Sequence, residues 1–65
     1  MKKIRLALLS GGVSSERAVS LNSGTQVFEA LDKERYEIFR YDPKTDLPKL
    51  VMDAPGIDAA LIILH

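Results

Sequence analysis

Two short aliphatic runs, one near each end of the sequence, most constrain what this chain can fold into. The first spans residues 4–9 and is closed by Ser10, Gly11 and Gly12, and the second, IDAALIIL, spans residues 57–64. Each run has the length and composition of a strand that is buried on both faces of a parallel sheet. We therefore predict a β-strand at both places.

The segment between residues 14 and 31 predicts a long helix. It contains no proline, offers serine as an N-cap, and repeats apolar side chains with a helical period. Those side chains are Val19, Val27, Ala30 and Leu31. The predicted helix starts at Ser14 or Ser15 and ends near Leu31.

The middle of the chain predicts a further strand and a short second helix. Residues 36–41 alternate aromatic or apolar side chains with charged ones and end at an Asp-Pro pair, which suits a strand that stops in a turn. Asp46 can then cap a helix that continues to about Met52, with Pro48 tolerated in its first turn. The sequence Ala-Pro-Gly at residues 54–56 ends that helix.

This order of elements predicts an α/β fold with a three-stranded parallel βαβαβ sheet. Short connections of this kind cross over right-handedly and place helices on the sheet faces. The usual strand order puts the second and third strands on opposite sides of the first, so that the first and third border a ligand-binding crevice at their carboxyl ends. Three strands leave two open edges. We therefore expect residues 1–65 to form a single, partial domain.

Composition argues against several classes of protein. Nine basic residues balance nine acidic ones, so the positive excess that drives nucleic-acid binding is missing. The chain has no cysteine for disulfides or thiolate metal sites. No apolar stretch approaches the ~20 residues of a membrane span, and the first run leads into a glycine turn rather than a signal-peptide cleavage site. We expect a cytoplasmic protein that binds neither nucleic acid nor membrane.

The polar residues that follow the first strand are the strongest functional candidates. On the predicted helix, Glu16, Ser20 and Ser23 share a side with the main apolar residues. An acid and two hydroxyls on a sheet-facing side indicate the border of a polar cavity. The helix dipole also favours an acid in a first turn, and small serines let a helix approach a sheet closely. Both interpretations of Glu16 stay open at this point, whereas the serines favour a structural role.

Three further features carry weaker signals. Gly11 and Gly12 before a helix resemble a phosphate-binding turn, but the dinucleotide-binding and P-loop patterns are missing. Asp42 occupies the place of a ribose-binding acid, yet an Asp-Pro turn accounts for it, and we interpret it as structural. His65 ends the last strand at the predicted crevice, where a histidine is often only a strand-end residue.

Three segments together resemble the N-terminal segment of bacterial D-alanine–D-alanine ligases. They are LLSGGVSSERAVSLNSG at residues 8–24, YDP at residues 41–43 and LIILH at residues 61–65. The shared pattern is a strand, G-G-x-S-x-E, V-S-x-x-S on the helix, and a later strand that ends in Leu-His. The chain departs from the pattern at Ala18, where the family commonly has a second acid, and we expect this position to point away from the sheet.

The resemblance implies a Rossmann-like domain at the start of an ATP-grasp enzyme of peptidoglycan synthesis. In that family, ATP with Mg²⁺ phosphorylates the carboxylate of one D-alanine, and the amine of a second D-alanine attacks the acyl phosphate. The resemblance assigns Glu16 a catalytic role near the ammonium of the first D-alanine. It places Val19 and His65 beside the same subsite. It also implies a homodimer formed through this domain.

The resemblance covers only the first part of such a ligase. The domains that hold ATP, Mg²⁺ and the second D-alanine have no counterpart in these residues, so we expect the chain alone to be inactive and to bind no cofactor or metal. Two alternatives are a self-associating binding or assembly module and the corresponding part of a D-alanine–D-lactate ligase.

Overall fold

The structure, a computed structural model, describes residues 2–12, 15 and 17–63. Its elements are β1 (Ile4–Ser10), α1 (Arg17–Ala30), β2 (Tyr36–Tyr41), α2 (Leu47–Asp53) and β3 (Ala59–Ile63), with a 3₁₀ turn at Ala54–Gly56. The strands pair in parallel in the order β2-β1-β3. The α/β class, the parallel sheet and the central position of β1 are therefore confirmed.

The first three elements lie close to their predicted bounds. β2 spans the predicted residues and β1 extends one residue further, to Ser10. Leu31 follows the end of α1 and still donates its N–H to the carbonyl of Val27 at 3.0 Å. The predicted N-cap Ser14 lies outside the described residues, and Ser15 belongs to an exposed turn. Neither α1 nor α2, the helices of the described part of the chain, has the length and apolar character needed to cross a membrane.

The third strand is shorter and more exposed than predicted. It begins at Ala59 rather than Ile57, because the Ile57 N–H donates to the carbonyl of Ala54 at 3.0 Å and closes the 3₁₀ turn. Its predicted last residue, Leu64, lies outside the described residues. Ile62 is 62% exposed, which contradicts burial on both faces. The physical reason is that the described helices leave most β3 side chains uncovered on both faces, whereas β2, the other edge strand, is largely half-buried.

Asp46 precedes α2 but does not cap it with its side chain. Its Oδ2 instead accepts a hydrogen bond from the Asp42 N–H at 2.8 Å, which joins the two ends of the β2–α2 connection. Pro48 lies in the first turn, as predicted. The helix continues to Asp53, one residue beyond the predicted Met52.

β1 supplies the buried core on one sheet face through Ala7 and Leu9. These residues cluster with Tyr41, which is 3% exposed and donates its hydroxyl to Oδ2 of Asp53 at 2.8 Å. Three partly buried residues cover this cluster, namely Phe39, Leu50 and Ile57. The covering residues come from β2, α2 and the turn before β3, so this face joins those three parts of the chain to β1.

α1 packs on the other face of β1 through small residues. Its buried residues are Ser20 and Gly24. The predicted apolar stripe is wrong in part, because Val19 is 49% exposed and Ala30 is also exposed. A helix that lies this close to a strand has room only for small side chains along its line of contact. Ala18 is exposed, as expected for a position that points away from the sheet.

Candidate functional site

The carboxyl ends of β1 and β3 meet at an edge that Ser20 joins to α1. Ser10 is the register partner of Ile63. The hydroxyl of Ser20 accepts the N–H of Gly11 at 2.8 Å and donates to the carbonyl of Ile63. Ser20 is fully buried, so one hydroxyl holds the ends of two strands against one helix. We call this edge, formed by residues 10–12, Ser20 and Ile63, the carboxyl edge.

The two serines of the polar helix side have different environments. The structural interpretation of Ser20 is confirmed, because both of its hydrogen bonds go to backbone groups of the sheet. Ser23 is half-buried and makes no side-chain hydrogen bond to another residue within the described ranges. Ser20 therefore builds the carboxyl edge, and Ser23 does not.

The turn at Gly11 and Gly12 has no free backbone donors for a phosphate. Both residues have positive φ, +101° and +94°, which glycine adopts readily. The Gly11 N–H donates to Ser20, and the Gly12 N–H donates to Oδ1 of Asp42 at 3.0 Å. Among the described residues, these two N–H groups are therefore already bonded within the chain, and the negative charge of Asp42 beside them disfavours a phosphate.

Asp42 connects the glycine turn with α1. Its Oδ1 accepts the N–H groups of Gly12, at 3.0 Å, and of Lys44, at 2.9 Å, and its Oδ2 forms an ion pair with the guanidinium of Arg17. The pKa of Asp42 lies below its ordinary value of 3.8, chiefly because of the Gly12 N–H and then the Lys44 N–H. Partial burial opposes this lowering, and the charge of Arg17 adds to it. The interpretation of Asp42 as a structural residue fits these contacts.

The lowered pKa makes the contribution of Asp42 to stability depend on pH. Since the folded chain favours the ionised carboxylate, that contribution is present above pH 3.8 and is lost as the pH falls through the folded-state pKa. We expect Asp42→Asn to be less stable than the parent near neutral pH, with the difference closing in stronger acid. Urea-unfolding midpoints across the acid range measure this. A difference that does not vary with pH would contradict a role for the charge.

Of the three residues that the resemblance assigns to a substrate site, the structure describes Val19. It lies exposed in the first turn of α1. Glu16 and His65 lie outside the described residues. The structure does describe Arg17, which follows Glu16 at the start of α1, and Ile63, which lies two residues before His65 at the end of β3. Both residues belong to elements that the Ser20 hydrogen bonds hold together.

Cavities occur at both ends of the sheet. One of about 170 Å³ lies at the carboxyl ends of β1 and β2, with Ser10 and Asp42 among its walls. Another, of about 580 Å³, lies at the opposite end, against Ile4 and Tyr36. Parallel α/β sheets bind ligands at their carboxyl ends, which favours the smaller cavity and the neighbouring carboxyl edge. Within residues 2–12, 15 and 17–63, no three acidic or histidine side chains converge as a metal site.

Sequence comparison connects almost the whole chain to one family. The family described as "D-ala D-ala ligase N-terminus" matches residues 5–65. The D-alanine–D-alanine ligase of Syntrophobacter fumaroxidans is 64% identical, and that of Desulfotalea psychrophila is 52% identical, each over 98% of this chain. The chain covers 21% and 20% of these two proteins, so it spans about a fifth of the length of the curated relatives that it matches.

Solved structures agree in fold as well as in sequence. A crystal structure of D-alanine–D-alanine ligase from Bacillus anthracis matches 95% of this chain with a TM-score of 0.76 and 39% identity. A second, complexed with ATP, matches 100% of it with a TM-score of 0.81 and 37% identity. The chain covers 20% and 21% of those structures. Since the family model matches residues 5–65 and the solved structures agree in fold and sequence, the chain belongs to the family of the D-alanine–D-alanine ligase N-terminus.

Proposed function

We propose that this chain is the N-terminal part of an enzyme that joins two D-alanines, and that its carboxyl edge forms one wall of the subsite for the first D-alanine. The observation that carries the proposal is the pairing of Ser10 with Ile63. The segments that leave β1 and β3 start side by side there, and Glu16 and His65 belong to those two segments. A two-residue step spans at most ~7 Å, which keeps His65 near the end of β3.

The proposed chemistry of this wall is charge pairing with an amino acid. The carboxylate of Glu16 accepts hydrogen bonds from the ammonium of the first D-alanine, and exclusion of water strengthens that pairing. Val19 follows three residues later, and its exposure leaves an apolar surface available to the same substrate. His65 borders the subsite from the β3 side. Glu16 is thus the proposed catalytic residue of this chain.

ATP, Mg²⁺ and the second D-alanine belong to other parts of the proposed enzyme. The chain corresponds to about a fifth of its relatives, and one similar solved structure is complexed with ATP. The N–H groups of Gly11 and Gly12, the donors here that most resemble a nucleotide site, already bond within the chain. This chain therefore supplies substrate contacts, and the remaining domains supply the activation of the carboxylate.

Self-association is a second candidate function, and the exposed edge strand favours it. Leu61 is 38% exposed and Ile62 is 62% exposed on β3, which ends the sheet on that side. Exposed strand edges pair readily with another chain. A homodimer through this domain is compatible with the ligase, whereas a pure assembly module has no response to D-alanine. A D-alanine–D-lactate ligase differs in its product, so product analysis with both second substrates separates it.

Replacement of Glu16 by glutamine tests the proposed function. The variant is made in the protein encoded by the complete reading frame that includes this chain, and D-alanine-dependent ADP formation is measured. We expect the KM for the first D-alanine to rise about 10- to 100-fold, because a charged hydrogen bond is lost, with the KM for ATP unchanged. The chain of 65 residues alone serves as a control for which no turnover is expected.

Glu29→Gln is the matched control, since Glu29 is an exposed acid on α1 far from the carboxyl edge. It removes the same charge and is expected to leave both KM values unchanged. Equal kinetics for Glu16→Gln and the parent would overturn the assignment of Glu16. Absence of D-alanine-dependent turnover in the complete protein would overturn the ligase function itself.

A further inference from the structure

Asp42 holds both ends of the segment that carries Glu16. Gly12, immediately before residues 13–16, donates its N–H to Oδ1 of Asp42 at 3.0 Å. Arg17, immediately after them, pairs with Oδ2 of the same carboxylate. One side chain, from the connection between β2 and α2, therefore bonds to a residue on each side of residues 13–16, which connect β1 to α1.

We propose that Asp42 is a positioning residue for Glu16: it fixes the residues on both sides of the turn and thereby the direction from which the Glu16 carboxylate meets the first D-alanine. The inference rests on the proposed function, because it takes Glu16 to contact substrate. In this proposal Asp42 acts through the residues that flank Glu16, because its carboxylate is already bonded to Gly12, Lys44 and Arg17.

The backbone of Asp42 is held by hydrogen bonds within the β2–α2 connection. Its own N–H donates to Oδ2 of Asp46 at 2.8 Å, and its carbonyl accepts the N–H groups of Thr45, at 3.0 Å, and Asp46, at 2.7 Å. The preceding residue, Tyr41, is buried in the core. The position of Asp42 is therefore set by β2 and the β2–α2 turn, independently of the segment that it holds.

The glycine turn fits directly against this carboxylate. A Cβ added to Gly11 would lie 2.7 Å from Oδ1 of Asp42 and 2.9 Å from its Cγ. The φ of Gly11, +101°, also lies in the region that favours glycine. Close approach and backbone conformation together bring the Gly12 N–H within reach of Asp42. All of these contacts join Asp42 to the chain itself, which favours a positioning role over ribose binding.

Amide hydrogen exchange tests the positioning step without any need for activity. We compare Asp42→Ala with the parent in the protein encoded by the complete reading frame, following peptides that span residues 11–18. Because Asp42→Ala removes the acceptor of the Gly12 N–H and the partner of Arg17, we expect exchange in this peptide to accelerate about 10-fold or more. Asp42→Asn retains a neutral acceptor, so its exchange rate in this peptide is expected to lie between those of the parent and Asp42→Ala.

Asp58→Ala is the matched control. The Oδ2 of Asp58 also accepts a backbone N–H, that of Arg5 at 2.9 Å, but at the opposite end of the sheet from the carboxyl edge. It removes a bond of the same kind and is expected to leave exchange in residues 11–18 unchanged. Equal acceleration by Asp58→Ala would show general loosening and would overturn the inference.

Steady-state kinetics test the consequence for substrate. We expect Asp42→Ala to raise the KM for the first D-alanine about tenfold with the KM for ATP unchanged, and Asp58→Ala to change neither. When Glu16 is already replaced by glutamine, Asp42→Ala is expected to raise the KM for the first D-alanine little further. The reason is that Asp42 acts through the Glu16 carboxylate, which that variant lacks. Full multiplication of the two effects would overturn the inference.

The two proposals fail in different ways. If Glu16→Gln raises the KM for the first D-alanine but Asp42→Ala changes neither that KM nor the exchange, the positioning role is wrong and the proposed function stands. If Glu16→Gln changes no kinetic constant, the assignment of Glu16 to the substrate site fails, and the positioning role fails with it even where exchange at residues 11–18 accelerates.

Discussion

Replacement of Ser20 by alanine is expected to lower the free energy of unfolding by about 2–3 kcal/mol, since it leaves two backbone groups of the sheet without their partner. These are the buried N–H of Gly11 and the carbonyl of Ile63. Alanine recovers only about 0.5 kcal/mol through its higher helix propensity. A chain of this length is stabilised by roughly 3–10 kcal/mol, so the substitution removes a large share of the total.

The consequence extends to the proposed site, because Ser20 connects β3 to β1 and α1 at the carboxyl edge. Without the hydroxyl, the end of β3 keeps its register partner Ser10 but loses its bond to α1. Residues 64–65 continue from that end. We therefore expect Ser20→Ala to weaken binding of the first D-alanine as well as stability, in contrast to a substitution that only loosens the helix.

Native-state hydrogen exchange of β1 amides measures the local free energy of opening even when other domains are present. Ser23→Ala is the control, because Ser23 lies on the same helix, is half-buried, and makes no side-chain hydrogen bond to another described residue. It has the same gain in helix propensity and is expected to be neutral or slightly stabilising. Equal opening free energies for the two variants would show that the Ser20 bonds contribute nothing net.

The sequence carries enough information to predict the fold, because the signals for it are periodic or local. Aliphatic runs followed by turn residues predict strands, and the usual strand order of doubly wound folds then places β1 between β2 and β3. The errors arise where tertiary contacts override a local pattern. The N–H of Ile57 closes a 3₁₀ turn instead of continuing a strand, and Asp46 bonds to Asp42 instead of capping α2.

The contacts of the carboxyl edge join residues that are far apart in the sequence, so the periodicity of the sequence does not predict them. An Asp-Pro turn predicts the short-range bond from Lys44 to Asp42, but nothing local predicts that Gly12 reaches the same carboxylate. One sequence signal does indicate which side of α1 packs against the sheet. Ser20 and Gly24 are four residues apart, so two small residues share one helix side, which marks a close approach to the sheet better than the apolar stripe through Val19 does.

That close approach leads to the second large effect, expected for Gly24→Ala. In an exposed helix this change stabilises by about 1 kcal/mol. Here, however, an added Cβ would lie 2.6 Å from Cβ of Ser10 and would also collide with its Oγ. The Ser10 Cβ is fixed to the backbone of a buried strand, so α1 itself must move. Overpacking of this kind costs about 1–3 kcal/mol, which outweighs the gain in helix propensity.

Two comparisons separate the collision from the change in propensity. Asn22→Ala, an exposed position two residues earlier on α1, receives only the propensity gain and is expected to stabilise. Ser10→Gly removes both atoms that the new Cβ would meet, so we expect it to restore most of the stability lost in Gly24→Ala. The double-mutant cycle should therefore show favourable coupling between the two substitutions. If Gly24→Ala alone raises the opening free energy of β1 amides, α1 does not pack on Ser10 through this glycine. Close packing of α1 on β1 would then not explain why Val19 is exposed.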